Sequence, residues 1–139
     1  MVTHIAEIII KAQKQKVFDT LTKPELIKLW QYNKELTTDW KAGSKIKFIT
    51  DIEGKILEQW GTVLELRPNQ LIKYNLFTPG RGLEDEIKNY TVTSYVLTSD
   101  NGQTKVEIIQ EDNRPSGFTP LSLKPILVTL KKIVETNAT

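Results

Sequence analysis

The sequence predicts an α+β fold in which a curved antiparallel sheet of about six strands wraps around a C-terminal helix, with two short helices after the first strand. Three observations support this prediction. The last segment carries an apolar stripe at helical spacing, the centre alternates apolar and polar residues between turn signals, and two helix-like patterns follow the first strand. At 139 residues the chain is expected to form one domain, 1–139.

The C-terminal segment 122–135 has one strongly apolar side. Six aliphatic residues recur at helical spacing and therefore share one side of a helix. They are Leu123, Ile126, Leu127, Leu130, Ile133 and Val134. Burial of six such side chains corresponds to about 9–18 kcal/mol of gross transfer free energy. The rest of the chain is expected to cover this side, and Pro125 fits only the first turn of the helix.

The first third of the chain predicts one strand and two helices. Residues 3–10 are rich in β-branched side chains and are typical of a strand. Helical patterns follow over 13–21 and about 24–31. Between them, Thr22 fits a helix N-cap and Glu25 lies three residues later, as in a capping box.

The remaining segments alternate in the manner of strands and are separated by turn-forming residues. Asn101-Gly102 is a strong hairpin signal because this pair accommodates positive φ. The strands are predicted over 37–40, 44–50, 55–66, 71–77, 87–98 and 103–111. Consecutive hairpins make an antiparallel sheet with one face to cover, and the last helix fits that role.

Composition excludes several classes of function. The chain has no cysteine and only one histidine, His4, so neither a metal site nor a cofactor is predicted. The 19 basic and 17 acidic residues are scattered, which argues against nucleic-acid binding. No apolar run approaches the roughly 18 residues of a membrane span, and the start lacks a signal-peptide pattern. A soluble cytoplasmic protein is expected.

Three segments carry a resemblance to a known family. They are VFDTLTKPELIKLW at 17–30, DWKAGS at 39–44 and GTVLELRPNQLIKY at 61–74. Together they resemble the START-like (SRPBCC, helix-grip) superfamily, and within it the group related to the C-terminal domain of the heat-shock-protein ATPase activator. The resemblance covers about residues 3–136. It implies a helix-grip fold with a cavity between helix and sheet that commonly holds lipids, sterols, polyketides or other hydrophobic molecules.

A set of aromatic and aliphatic residues could line that cavity, since ligand pockets are mostly apolar with a few polar groups. The alternative is that they pack together as ordinary core. The candidate ligand-binding residues are Trp30, Phe48, Trp60, Thr62, Tyr74, Leu123, Leu127 and Leu130.

Glu58 is the one candidate for catalysis. It shares strand parity with Trp60 and Thr62, so an inward orientation would raise its pKa and suit a general acid. The alternative places Glu58 in water, and it is favoured because a buried carboxylate without a partner is costly. The irregular loop 78–86 either gates the cavity or is a solvated hairpin loop.

The leading hypothesis is a non-enzymatic protein that binds a hydrophobic small molecule, a lipid or related ligand. One alternative is an enzyme similar to polyketide cyclases or dehydratases that uses the same cavity. Another is a chaperone-associated interaction module with a protein partner. No nucleophile–base–orienter set is apparent, which favours binding over catalysis. The ligand and the oligomeric state stay open.

Overall fold

The chain forms a seven-stranded antiparallel sheet and three α-helices in the computed structural model, which describes residues 2–30, 34–80, 82–114 and 123–136, with residues 30, 34 and 52 as backbone only. The strands are β1 (Val2–Ile10), β2 (Lys34–Thr38), β3 (Lys45–Ile52), β4 (Lys55–Arg67), β5 (Leu71–Leu76), β6 (Thr91–Asp100) and β7 (Gln103–Asp112). The helices are α1 (Lys14–Thr22), α2 (Pro24–Trp30) and α3 (Lys124–Thr136). The order of the strands across the sheet is β1-β7-β6-β5-β4-β3-β2. This curved sheet with its C-terminal helix confirms the predicted fold class.

The apolar stripe of the last helix is buried as predicted. Leu127, Leu130 and Val134 are fully buried, and Leu123 just before α3 is nearly so. The helix packs against β1, α1 and α2. Its polar side also contributes, because two lysines donate hydrogen bonds to outward carbonyls of β1: Lys124 Nζ to Glu7 O at 2.6 Å and Lys131 Nζ to Ile9 O at 3.0 Å.

The predicted capping box between the first two helices is wrong. Thr22 is the last residue of α1, and its hydroxyl donates to the Phe18 carbonyl at 2.9 Å. Lys23 takes the cap position instead, since its carbonyl accepts from the Ile27 amide at 2.9 Å. Helix α1 therefore ends one residue later than predicted, and the Thr22 hydroxyl is engaged within α1 instead of capping α2.

Two strands, β2 and β6, depart most from their predicted bounds, and the sheet has seven strands where about six were expected. The strand expected at 37–40 is β2 and ends at Thr38, because Trp40 has a φ of 55° and cannot continue a ladder. The strand expected from 87 begins at Thr91, because Ile87–Asn89 form a 3-10 turn.

Strand pairing defines which side chains face the helices. Residues directly opposite each other in an antiparallel pair share a face. Buried Phe48 is paired with Gln59, and buried Tyr74 with Val63. The inner face of the sheet, which packs on the helices, therefore receives Gln59, Gly61 and Val63 from β4.

A close backbone approach occurs where β4 crosses β5. A Cβ atom on Gly61 would lie 1.8 Å from the Asn75 carbonyl oxygen, so only glycine fits there. Beside it, the Thr62 amide donates to Asn75 Oδ1 at 2.7 Å. The Asn75 side chain thus satisfies a backbone donor at this point, and a β-bulge follows between Val63 and Glu65.

We expect Gly61→Ala to lower the free energy of unfolding by about 2–4 kcal/mol, because the added methyl must push β4 away from β5. Urea unfolding followed by circular dichroism measures this. Thr98→Ala, at an exposed site on β6, is the matched control and is expected to change stability by less than about 0.5 kcal/mol. Equal effects at the two positions would contradict the close approach.

Candidate functional site

The space between the helices and the inner face is nearly filled. A cavity of about 10 Å³ remains, enough for roughly one water molecule. It lies where α1, α2 and β2 meet the centre of the sheet, away from the buried side of α3. Its lining is Leu21, Ile27, Leu36, Trp40, Phe48, Ile72, Tyr74 and Tyr95.

Two buried hydroxyl groups supply the polar part of this lining. The hydroxyl of Tyr74 is close to the hydroxyls of Tyr95 and Thr93, which influence its pKa. Burial raises the pKa of both tyrosines well above the ordinary value of 10. Both hydroxyls are therefore uncharged donors and acceptors throughout the physiological range.

Trp40 forms the wall of the cavity on the β2 side. Its indole Nε1 donates to the Thr22 carbonyl at 2.8 Å, which ties the ring to the end of α1. Its positive φ is uncommon for a bulky side chain and costs on the order of 1–3 kcal/mol. The wall is thus a half-buried ring on a strained backbone, next to fully packed helices.

Of the eight candidate lining residues, two line this cavity, five do not, and the side chain of one lies outside the described part of the chain. Phe48 and Tyr74 do line it, with ring centroids 5.9 Å apart. Leu123, Leu127 and Leu130 are buried, but they are not part of the lining. The side chain of Trp30 lies outside the described part of the chain. The remaining two are Trp60 and Thr62.

The prediction that Trp60 and Thr62 point into the space under the helix is wrong. Trp60 is paired with Lys47 and Thr62 with Lys45, so both project from the outer face, opposite the helices. The same parity places Glu58 outside. Its carboxylate Oε1 lies 3.4 Å from Lys47 Nζ, and its side chain is 45% exposed. Glu58 therefore faces solvent, in agreement with the alternative favoured from the sequence.

Trp60 belongs to a row of aromatic rings on the outer face. The Trp60 and Phe77 ring centroids are 5.5 Å apart, and Phe77 and Tyr90 are also 5.5 Å apart. Asp85 lies over this row: it accepts from Trp60 Nε1 at 2.9 Å and from the Tyr90 hydroxyl. Burial and the Asp85 carboxylate raise the pKa of Tyr90 to about 12.

The loop predicted at 78–86 is therefore bound through Asp85 to the outer face. Next to it lies an open cleft of about 360 Å³, on the surface and separate from the helix–sheet space. Arg81, which belongs to this loop in the sequence, is outside the described residues. The cleft is lined by Gly82, Leu83, Glu84, Glu86, Lys88, Asn89 and Asn113.

A buried polar region at one end of the inner face was missed from the sequence. Thr91, Thr93, Gln110 and Asp112 are all buried there. Strand parity was the available signal, since Thr93 alternates with Tyr95 in β6 and Gln110 with Ile108 in β7. The threonines on an otherwise apolar face did not stand out because threonine is common in strands.

An ion pair closes this polar end. Arg114 donates to Asp112 Oδ1 from its amide at 2.9 Å and from Nε at 3.0 Å, and to Oδ2 from Nη2 at 2.8 Å. These hydrogen bonds from Arg114 hold the pKa of Asp112 below its ordinary value. The pair carries no net charge and fixes the end of β7.

Asp112→Asn is expected to lower the free energy of unfolding by about 2 kcal/mol near neutral pH. Because the folded-state pKa of Asp112 is depressed, its contribution is present above about pH 4 and is lost as the pH falls through the folded-state pKa. Urea unfolding at a series of pH values measures the free energy of unfolding of the native chain and of Asp112→Asn. The difference between the two proteins is expected to become smaller as the pH falls.

Glu65→Gln provides the matched control for that experiment. Glu65 Oε2 accepts from Arg67 Nε at 2.7 Å at an exposed site, so the expected loss is below about 1 kcal/mol. A destabilisation by Asp112→Asn that does not change with pH would contradict the role of the ion pair.

The described ranges hold neither a metal-binding cluster nor a membrane-spanning helix. Residues 2–30, 34–80, 82–114 and 123–136 contain no group of three or more His, Cys, Asp or Glu side chains placed to hold a metal ion. Within the same ranges, no helix is long and apolar enough to cross a membrane.

Solved structures share this fold over almost the whole chain. Protein MLL2253 from Mesorhizobium loti has a TM-score of 0.78 at 19% identity, covering 99% of this chain and 100% of that one. ChR145 from Cytophaga hutchinsonii has a TM-score of 0.77 at 28% identity, covering 98% and 95%. The Aha1 dimer from Colwellia psychrerythraea has a TM-score of 0.69 at 22% identity, covering 97% of each chain.

Sequence comparison identifies the family. No curated protein sequence matches this chain significantly. A family model described as Activator of Hsp90 ATPase homolog 1-like protein matches residues 11–123, which is well over half of the chain. The protein is therefore a member of the Activator of Hsp90 ATPase homolog 1-like family, within the START-like (SRPBCC, helix-grip) proteins.

Proposed function

We propose that the protein binds a hydrophobic small molecule, a lipid or related ligand, where α1, α2 and β2 meet the inner face of the sheet. The family and the fold are consistent with ligand binding. The observation that carries the proposal is the lining: six apolar side chains surround two neutral hydroxyls, those of Tyr74 and Tyr95. Apolar walls with a few orienting polar groups are typical of ligand sites.

Binding requires the site to open, because a cavity of about 10 Å³ is far below the roughly 300 Å³ of a small ligand pocket. Trp40 is the side chain that we expect to move. It is half-buried, it is held at its indole by a hydrogen bond to Thr22 O, and its backbone is strained. A ligand that binds the open form more tightly shifts the population toward it.

Binding is favoured over catalysis by the groups at hand. Glu58 lies on the outer face, away from the site. The pKa values of Tyr74 and Tyr95 are raised away from neutrality, whereas a general acid or base works best with a pKa near the operating pH.

We expect Trp40→Ala to tighten the binding of a neutral hydrophobic dye, N-phenyl-1-naphthylamine, by about tenfold. The substitution removes the wall, so less free energy is needed to open the site. Saturable dye fluorescence measures this. Trp60→Ala removes the same side chain from the outer face and is the matched control, with no change expected.

Equal effects of the two substitutions, or no saturable binding to either variant or to the native chain, would contradict the proposal. Phe48→Leu offers a second, milder enlargement of the lining in case Trp40→Ala does not fold. Heteronuclear NMR of the native chain then shows whether the amides that shift belong to the lining residues.

A second candidate function, docking on an Hsp90-type ATPase, is favoured by the family name and by one observation. The hairpin between β3 and β4 exposes Ile56 by 60% and Leu57 by 36% at its tip. Exposed apolar groups of this kind are common in protein interfaces. A cytoplasmic location is part of this proposal.

Ile56→Asp is expected to abolish any stimulation of ATP hydrolysis by a purified Hsp90-type ATPase. Ile87→Asp, at a position that is 75% exposed on the 3-10 turn, is the control and should leave stimulation unchanged. Absence of stimulation by the native chain removes this candidate and leaves the ligand proposal unaffected.

A further inference from the structure

We infer that the ligand of this site is an uncharged amphiphile with a hydroxyl or amide head, and that carboxylates and phosphates are excluded. This inference rests on the proposed function. It names the chemical class that the inner face selects, and it follows from how polar and charged groups are distributed around the cavity.

The inner face changes from apolar to polar in successive cross-strand rows. One row joins Ile72, Tyr95, Ile108 and Ala6 through paired positions. The next row joins Tyr74, Thr93, Gln110 and His4. The cavity lies at this boundary, because Tyr95 comes from the first row and Tyr74 from the second.

The hydrogen-bonding groups at the boundary are neutral. Tyr74 and Tyr95 keep their protons, and the next side chains of the polar row, Thr93 and Gln110, are a hydroxyl and an amide. His4 ends the row on β1, three strands away from Tyr74, and is not among the described residues of the lining. Hydroxyl and amide groups both donate and accept, so they match a ligand hydroxyl or amide. A ligand tail can then lie against the apolar walls from α1, α2 and β2.

An anionic head would find no counter-charge in the described lining. No lysine or arginine is among the described residues that line the cavity. The guanidinium of Arg114, at the polar end of the inner face, is bound by both carboxylate oxygens of Asp112, so its charge is already neutralised. Burial of an unpaired carboxylate is strongly unfavourable.

The three lysines of α3 are not part of the cavity lining. Lys124 and Lys131 donate to carbonyls of β1, and Lys132 is exposed. The segment 115–122, which joins β7 to α3 in sequence, contains no lysine or arginine. The chemistry around the site therefore favours a neutral head over an acidic one.

The test compares tetradecan-1-ol with tetradecanoate, which have the same tail and differ in the head. Binding is measured by displacement of N-phenyl-1-naphthylamine at about pH 8, where the acid is ionised. We expect the alcohol to bind at least about tenfold more tightly. Tyr74→Phe and Tyr95→Phe, made singly, are each expected to weaken alcohol binding about fivefold while the affinity for the dye stays the same.

Tyr90→Phe on the outer face is the matched control and should change nothing. If the dye binds but tetradecanoate displaces it as well as the alcohol does, the inference is overturned and the proposed function stands. If the Tyr74→Phe variant and the Tyr95→Phe variant each bind tetradecan-1-ol over tetradecanoate with the same preference as the native chain, the inference is also overturned. If the dye itself does not saturate the native chain, the proposed function fails first.

Discussion

The contact between β4 and β5 at Gly61 determines what the helices meet. Because the Asn75 carbonyl occupies the space where a side chain would begin, the two strands approach closely there. The Asn75 side chain accepts the Thr62 amide, which keeps the backbone donor satisfied. The pairing that results turns Val63 toward the helices and turns Trp60 outward. The pairing of β4 with β3 and the bulge after Val63 then set the facing of the other β4 side chains.

The fold was predictable from the sequence because its strongest patterns are long. The stripe on α3 extends over three turns, and each hairpin has a turn signal at its tip, so a small error at one boundary does not change the topology. Which side chains of β4 lie on the inner face was not predictable in the same way. Both of its parities carry large apolar residues, and the bulge after Val63 moves Leu66 back to the inner face, so a strict alternation over 55–66 groups residues from opposite faces.

The candidate site was predicted in part for the same reason. Phe48 and Tyr74 follow a regular alternation in β3 and β5, and both line the cavity. Trp60 was also predicted to point into the cavity, but it is covered by Phe77 and Asp85 on the outer face. A large aromatic residue in a strand indicates that something covers it, and the sequence does not say which face supplies the cover. Trp40 was missed as a wall because its role depends on a positive φ that no local pattern predicts.

A nearly closed cavity and a strained wall have a common consequence for affinity. A protein that spends little time in its open form binds with an affinity reduced by the population of that form. The strain at Trp40 raises the free energy of the closed form. It therefore reduces the free-energy difference between the closed form and the open form. The buried hydroxyls of Tyr74 and Tyr95 act in the opposite direction, since they are close to each other in the closed form. A ligand that separates these two hydroxyls must offer them a donor or an acceptor of its own, because a buried polar group without a partner is costly, and this selects a hydrogen-bonding head.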